Sequence, residues 1–248
     1  MSETARPAFY ALAPGGWRDF VTVLHPPYTL WHLSYVALGA AAAPHLHAGR
    51  LAAALAAFFL AVGVSAHALD ELNGRPLRTR LSNRTLVWMA ALGLAGAFAI
   101  GVAGAVAVSA TLVPFVAAGG FLVIAYNLEP FGGRFHTDFW FGAAWGAFPA
   151  LAGWWSNALG LGDLGDALAG AGVTLACFWL TLAQRRLSTP VRELRRRTEA
   201  LSGRQRLSDG TVRELSVAQV AAPLDAALRA LSAAMPLLAA GFVALRLS

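Results

Sequence analysis

The densest group of reactive side chains is Ser65-Ala66-His67-Ala68-Leu69-Asp70-Glu71-Leu72-Asn73-Gly74-Arg75-Pro76-Leu77. His67, Asp70 and Glu71 stand at i, i+3 and i+4, a spacing that puts them on one face of a helix. An imidazole and two carboxylates so placed can ligate a metal ion or exchange protons with a ligand. Gly74 suits a left-handed cap and Pro76 cannot continue the helix, so the group sits at a helix end. The structural alternative pairs the two carboxylates with Arg75 and Arg78. A second group lies at Tyr126, Asn127, Glu129, Arg134, His136 and Asp138. His136 and Asp138 are two apart and diverge on a helix, which argues against a local metal pair. Two polar groups at one membrane face suggest the mouth of a pocket. His25, before Pro26-Pro27, reads as a turn, His32 as a polar group facing its neighbours, and His45 and His47 as solvated.

These groups are carried by an unusually apolar chain. Of 248 residues, 57% are hydrophobic and 13% charged, about half the charge of an ordinary soluble domain. All 19 basic residues are Arg, and the net charge is +6. Most of the arginines lie in connections between apolar runs, where membrane topology and anionic lipid account for them better than nucleic acid. The lone Cys177 leaves no disulfide within the chain and no Cys-based zinc site.

A bilayer span needs about 20 mostly apolar residues. Seven runs qualify: roughly 28–44, 51–71, 85–106, 109–127, 137–156, 167–184 and 218–246. The expected fold is therefore all-α, a polytopic membrane helical bundle of about seven transmembrane helices in one domain, 1–248. Four arginines in 72–84, Arg134 in 128–136 and nine arginines in 185–217 place these connections in the cytoplasm of an integral plasma- or inner-membrane protein. The N-terminus is then cytoplasmic and the C-terminus on the opposite side. The polar stretch 185–217 reads as carrying an amphipathic surface helix started by Pro190. Trp17, Trp154 and Trp155 fit interfacial belts. Phe139, Trp140, Phe141, Trp145 and Phe148 read as packing before they read as a ligand lining.

Three segments resemble the UbiA-type intramembrane prenyltransferases. His25-Pro26-Pro27-Tyr28 is similar to the segment that opens the family's first span. His67 to Asp70, with Arg75-Pro76-Leu77 and Leu81-Ser82, resembles its first aspartate motif. Tyr126-Asn127 through Arg134, then Gly142-Ala143-Ala144-Trp145-Gly146, resembles its Tyr/basic loop and glycine-rich helix. The resemblance covers roughly 20–155. It implies a bundle that binds an isoprenyl diphosphate with Mg²⁺ and transfers the prenyl group to an acceptor. The sequence departs from the family at two places. Ala66-His67 stand where it has Asn-Asp, and Gln184-Arg185-Arg186 opens the region where its second acidic motif belongs.

Carried over residue by residue, the resemblance implies His67, Asp70 and Glu71 as catalytic and metal-ligating residues. Arg75, Asn73, Asn127, Arg134, Arg185 and Arg186 would bind diphosphate, with Arg replacing a second metal. Two other readings stay open: a non-catalytic isoprenoid-binding or assembly protein on the same scaffold, and another membrane enzyme with a His/carboxylate site. Expected partners are an isoprenoid or other lipid and the membrane lipids, and an oligomer is compatible with either.

Overall fold

A computed structural model describes residues 6–248. Among the described residues the regular structure is helical apart from one small hairpin. Its helices are α1 (Trp17–Val23), α2 (Pro26–Ala41), α3 (Ala48–Leu72), α4 (Asn83–Ala107), α5 (Val113–Asn127), α6 (138–158), α7 (Leu164–Arg196) and α8 (Val217–Leu247). Helix starts obey local chemistry. The Ser82 hydroxyl accepts from Thr85 N–H at α4, Thr137 caps α6, and Asp163 forms a capping box with Asp166 at α7.

Among the described residues five helices are long and apolar enough to cross a membrane: α3, α4, Ala110–Asn127 (α5 with its leading turn), α7 and α8. The other two expected spans do not meet that test. Helix α2 has 16 residues, a rise of about 24 Å, and α6 carries Asp138, Ser156 and Asn157 among four tryptophans. The large apolar side chains of α4, Val87, Trp88, Leu92, Phe98, Val102 and Val106, are exposed. That pattern suits a helix solvated by lipid on one side.

Helix α2 is the most buried of the long elements, with Trp31, Tyr35, Val36 and Ala40 at most 1% exposed, although Leu30 reaches the surface. It packs against α6 and α8. Its contact with α6 is backbone on backbone: a Cβ at Gly39 would collide with the Ala150 carbonyl, and one at Gly153 with the Val36 carbonyl. Trp154, expected at an interface, is instead 2% exposed and lies against Gly170 of α7.

The two ends of the bundle are tied separately. At one end Arg246 donates to the Ala43 and Pro44 carbonyls, and Asn157 accepts from His47 N–H at 2.8 Å. At the other end two buried carboxylates organise the loops. Asp19 accepts from Gly15 N–H and Arg80 N–H, both at 3.0 Å. Glu71 is fully buried and accepts from Leu77 N–H at 2.9 Å, Thr79 N–H at 2.9 Å and the Thr79 hydroxyl at 2.8 Å.

The amphipathic surface helix expected within 185–217 is replaced by other structure. Helix α7 continues through Pro190 to Arg196, and the remainder forms an exposed antiparallel hairpin, β1 (Arg204–Arg206) with β2 (Val212–Glu214). Arg195 from the extended α7 makes a buried ion pair with Asp225 of α8, fastening the two long helices together.

Candidate functional site

At the loop-tied end with Asp19 and Glu71, the helices enclose a polar cavity of about 1100 Å³, measured out to its open mouth. Its wall combines α2 (Tyr28, His32), α3 (Val62, His67, Asp70), α5 (Tyr126, Asn127) and α6 (Phe141, Trp145). Helix α7 adds Gln184, Arg185, Arg192 and Arg196, α8 adds Asp225, and residues 7–10 close one side. A second, largely apolar space, about 1080 Å³ when measured out into the open, lies between α3, α4, α5 and α6. Val62 and Trp145 line both spaces.

Those two residues sit in π-helical turns. Helix α3 is π-helical over Phe59–Ala66, and α6 over Ala143–Ala147. A π turn inserts an extra residue and rotates the helix beyond it, a device common at functional sites. In α3 it immediately precedes His67, whose ring faces the cavity.

The expected triad does not assemble. His67 and Asp70 both line the cavity, while Glu71 points the other way, its two oxygens occupied by the 77–79 loop. Adjacent helical residues are about 100° apart, so Asp70 and Glu71 serve different spaces. Among the described residues no three His, Cys, Asp or Glu side chains gather as a metal site. The charges of Arg196 and Arg192 also act on Asp70. The donor set therefore does not fit Mg²⁺, which takes carboxylate and phosphate oxygens.

Of the expected diphosphate ligands, two face the cavity. Asn127 lines it, with its amide donating to the Val123 carbonyl at 2.8 Å. Arg185 lines it, donating to Asp138 at 2.6 Å and to the Tyr126 hydroxyl at 2.7 Å, with its guanidinium 4.7 Å from the centre of the Phe141 ring. The other four are elsewhere. Arg75 donates to the Leu81 carbonyl and to Asn83, shaping the α3–α4 loop. Asn73, Arg134 and Arg186 are exposed and line neither space.

The structure adds residues that the sequence left in minor roles. His25, at the left-handed start of α2, stacks on His67 with ring centres 4.1 Å apart. Its Nδ1 shares a hydrogen bond of 2.8 Å with the Tyr10 hydroxyl. Burial, reinforced by the neighbouring His67 and Arg196, holds His25 well below the ordinary imidazole range, so the ring is neutral. Burial and the nearby Tyr28 push the Tyr10 phenol up, so it keeps its proton. His32 donates from Nδ1 to the Trp145 carbonyl at 2.7 Å. The His136 ring stacks on Tyr126 at 4.5 Å, with Nδ1 donating to the Tyr126 carbonyl at 3.1 Å and lying 3.3 Å from Glu129.

Arg192 and Arg196 also line the cavity. Arg196 donates from Nε to the Pro7 carbonyl at 3.2 Å, and Arg192 from one terminal nitrogen to Thr189 at 3.2 Å. A guanidinium carries five N–H donors, so each keeps several for a ligand. Together the two spaces offer a cationic, hydrogen-bonding chamber beside a hydrocarbon-lined one, with a shared wall. No model of a known family, no curated protein and no solved structure matches the chain.

Proposed function

We propose that the protein binds an isoprenoid lipid with a diphosphate or similar anionic head, as a divergent relative of the UbiA-type prenyltransferases. Arg192 and Arg196 hold the head in the polar cavity without a metal ion, and the hydrocarbon tail lies in the apolar chamber. The observation that carries this reading is the shared Val62–Trp145 wall between a cationic space and a hydrocarbon-lined one. Neither half alone suits an amphipathic lipid. In this reading the polar cavity opens toward the cytoplasm.

Transfer of the prenyl group is the chemistry such a chamber suits. Two guanidiniums neutralise charge as the diphosphate leaves. The rings of Tyr28, Tyr126, Phe141 and Trp145, all lining the cavity, shield an allylic cation by cation–π attraction. A non-catalytic lipid holder is the second reading, favoured by Glu71, whose carboxylate is consumed by loop hydrogen bonds.

The test is equilibrium binding of farnesyl diphosphate to the purified protein in nanodiscs containing EDTA. Binding that persists with EDTA and falls about ten-fold or more in Arg192→Gln or Arg196→Gln supports the reading. Each variant loses at least one charged hydrogen bond. Absence of binding, or binding indifferent to both substitutions, overturns it. Release of diphosphate with an acceptor present separates transferase from holder.

A further inference from the structure

The loop between α3 and α4 turns successive residues in and out. Leu77 and Thr79 are buried, and Glu71 accepts from the N–H of each. Arg78, between them, and Arg80, beyond them, are exposed. Arg80 is fixed as well, since its backbone N–H donates to Asp19 of α1 at 3.0 Å. Two buried carboxylates therefore pin the backbone from which these guanidiniums project.

Helix α1 lies at the level where α4 begins. Its Val23 packs in one buried cluster with Ala68 of α3 and Leu86 and Ala90 of α4. On its outer side Trp17 and Phe20, three apart, are 67% and 43% exposed. Arg18 is exposed between them, its guanidinium 6.0 Å from the centre of the Trp17 ring. On α4, Arg84 and Trp88 are four apart and share a face, and Val87 and Trp88 open the exposed apolar side chains that continue to Val106. An aromatic between an arginine and lipid-facing side chains marks the headgroup level of a bilayer.

The charge at this level is one-sided. The only carboxylates between residues 11 and 100 are Asp19, Asp70 and Glu71. Asp19 and Glu71 are buried and Asp70 lines the polar cavity. Arg18, Arg78, Arg80 and Arg84 take part in no ion pair among the described residues.

We infer that α1 and the α3–α4 loop form a binding site for the phosphate headgroup of an anionic phospholipid, outside both internal spaces. The arginines meet the phosphate, which a guanidinium can bind through two N–H groups, while Trp17 and Phe20 seat among the upper carbons of the acyl chains. A free phosphate ion would leave that aromatic pair without a role. None of these six residues lines either internal space, so the site is independent of the isoprenoid reading.

The experiment reads Trp17 fluorescence, taken as the difference between the full chain and Trp17→Phe, in phosphatidylcholine nanodiscs. Phosphatidylglycerol or phosphatidylcholine, each brominated near the head of its acyl chains, is added as the quencher. A basic side chain at an anionic surface is worth roughly five-fold in affinity. Phosphatidylglycerol is accordingly expected to be preferred about ten-fold or more, with the preference shrinking at high salt. Arg78→Gln with Arg80→Gln should bring the two lipids close to parity at unchanged Tm. Arg206→Gln with Arg213→Gln, which removes the same charge from the exposed hairpin, should keep the preference. Equal quenching by the two lipids in the unmodified chain overturns the site, and that comparison needs no variant to fold. A Trp17 that neither lipid quenches overturns it too, and gives the surface to a protein partner. An equal loss in the two double variants also overturns it, because the charge of the whole face then suffices. A preference that holds while farnesyl diphosphate fails to bind supports this site and overturns only the reading of the cavity.

Discussion

Glu71 Oε1 accepts both the backbone N–H of Thr79, at 2.9 Å, and its side-chain hydroxyl, at 2.8 Å. With the second oxygen on Leu77 N–H, this one carboxylate fixes the α3–α4 loop that closes the cavity end of the bundle. In Glu71→Gln one oxygen becomes an amide that faces a donor, leaving a buried N–H unpaired at a cost of about 1–3 kcal/mol. For a chain of this length each kcal/mol is worth about 2–4 °C. A fall of several degrees in Tm, with farnesyl diphosphate affinity within two-fold of the original, is the expected result. A large loss of affinity at unchanged Tm would return Glu71 to the binding site.

The divergence of Asp70 from Glu71 was not legible: both neighbour His67 at i+3 and i+4, and the 100° between them does not say which one turns to the cavity. The apolar runs located the long helices, and Arg-rich connections marked the cavity's end. The stretch 185–197 misled because its charge masked a continuing helical period: Cys177, Thr181, Gln184, Ser188 and Val191 form the buried stripe of α7, which brings Arg185, Arg192 and Arg196 to the cavity. His25 and Tyr10 had no local signal. Their roles arise from a left-handed turn and an N-terminal segment folded against α2 and α7, contacts that sequence spacing does not encode.

The close approach of α2 and α6 gives a second prediction. Gly39→Ala and Gly153→Ala each drive a methyl into a backbone carbonyl of the facing helix, and backbone yields less readily than a side chain. Each variant should lose about 1–3 kcal/mol, the usual cost of overpacking, seen as a lower Tm in fluorescence-detected size exclusion. Gly172→Ala, on α7 with open space at its Cβ, should leave Tm unchanged or slightly raised. Equal behaviour of the three would refute the packing argument.

Neutral, buried His25 makes stability depend on pH. Its folded pKa lies well below the ordinary value, chiefly through burial. Below about pH 6.5 the unfolded chain takes up a proton that the folded chain refuses. The contribution is therefore present above that pH and lost as pH falls toward the folded value. Thermal unfolding at pH 7.5, 6.0 and 5.0 should show Tm dropping on acidification, and His25→Phe, which keeps the ring stack but cannot titrate, should reduce the slope. An unchanged slope would place the sensitivity elsewhere.

The shared wall between the two spaces makes chain length the decisive variable for the lipid reading. Val62 is 5% exposed and packs with Tyr126 and Trp145. A tail whose head is held in the polar cavity must cross this wall to reach the apolar chamber, and the larger side chain of Val62→Phe obstructs that crossing. A five-carbon dimethylallyl diphosphate stays beside the arginines and needs no passage. Farnesyl diphosphate carries ten more carbons, each worth about 0.8 kcal/mol when buried. The ratio of the two affinities should therefore fall at least ten-fold in Val62→Phe, while Arg192→Gln weakens both ligands alike. Measuring the ratio, rather than either affinity, cancels the about 1–3 kcal/mol of strain that the larger side chain itself introduces. A ratio that does not change means that the tail leaves the polar cavity by another route, and the apolar chamber then belongs to membrane lipid.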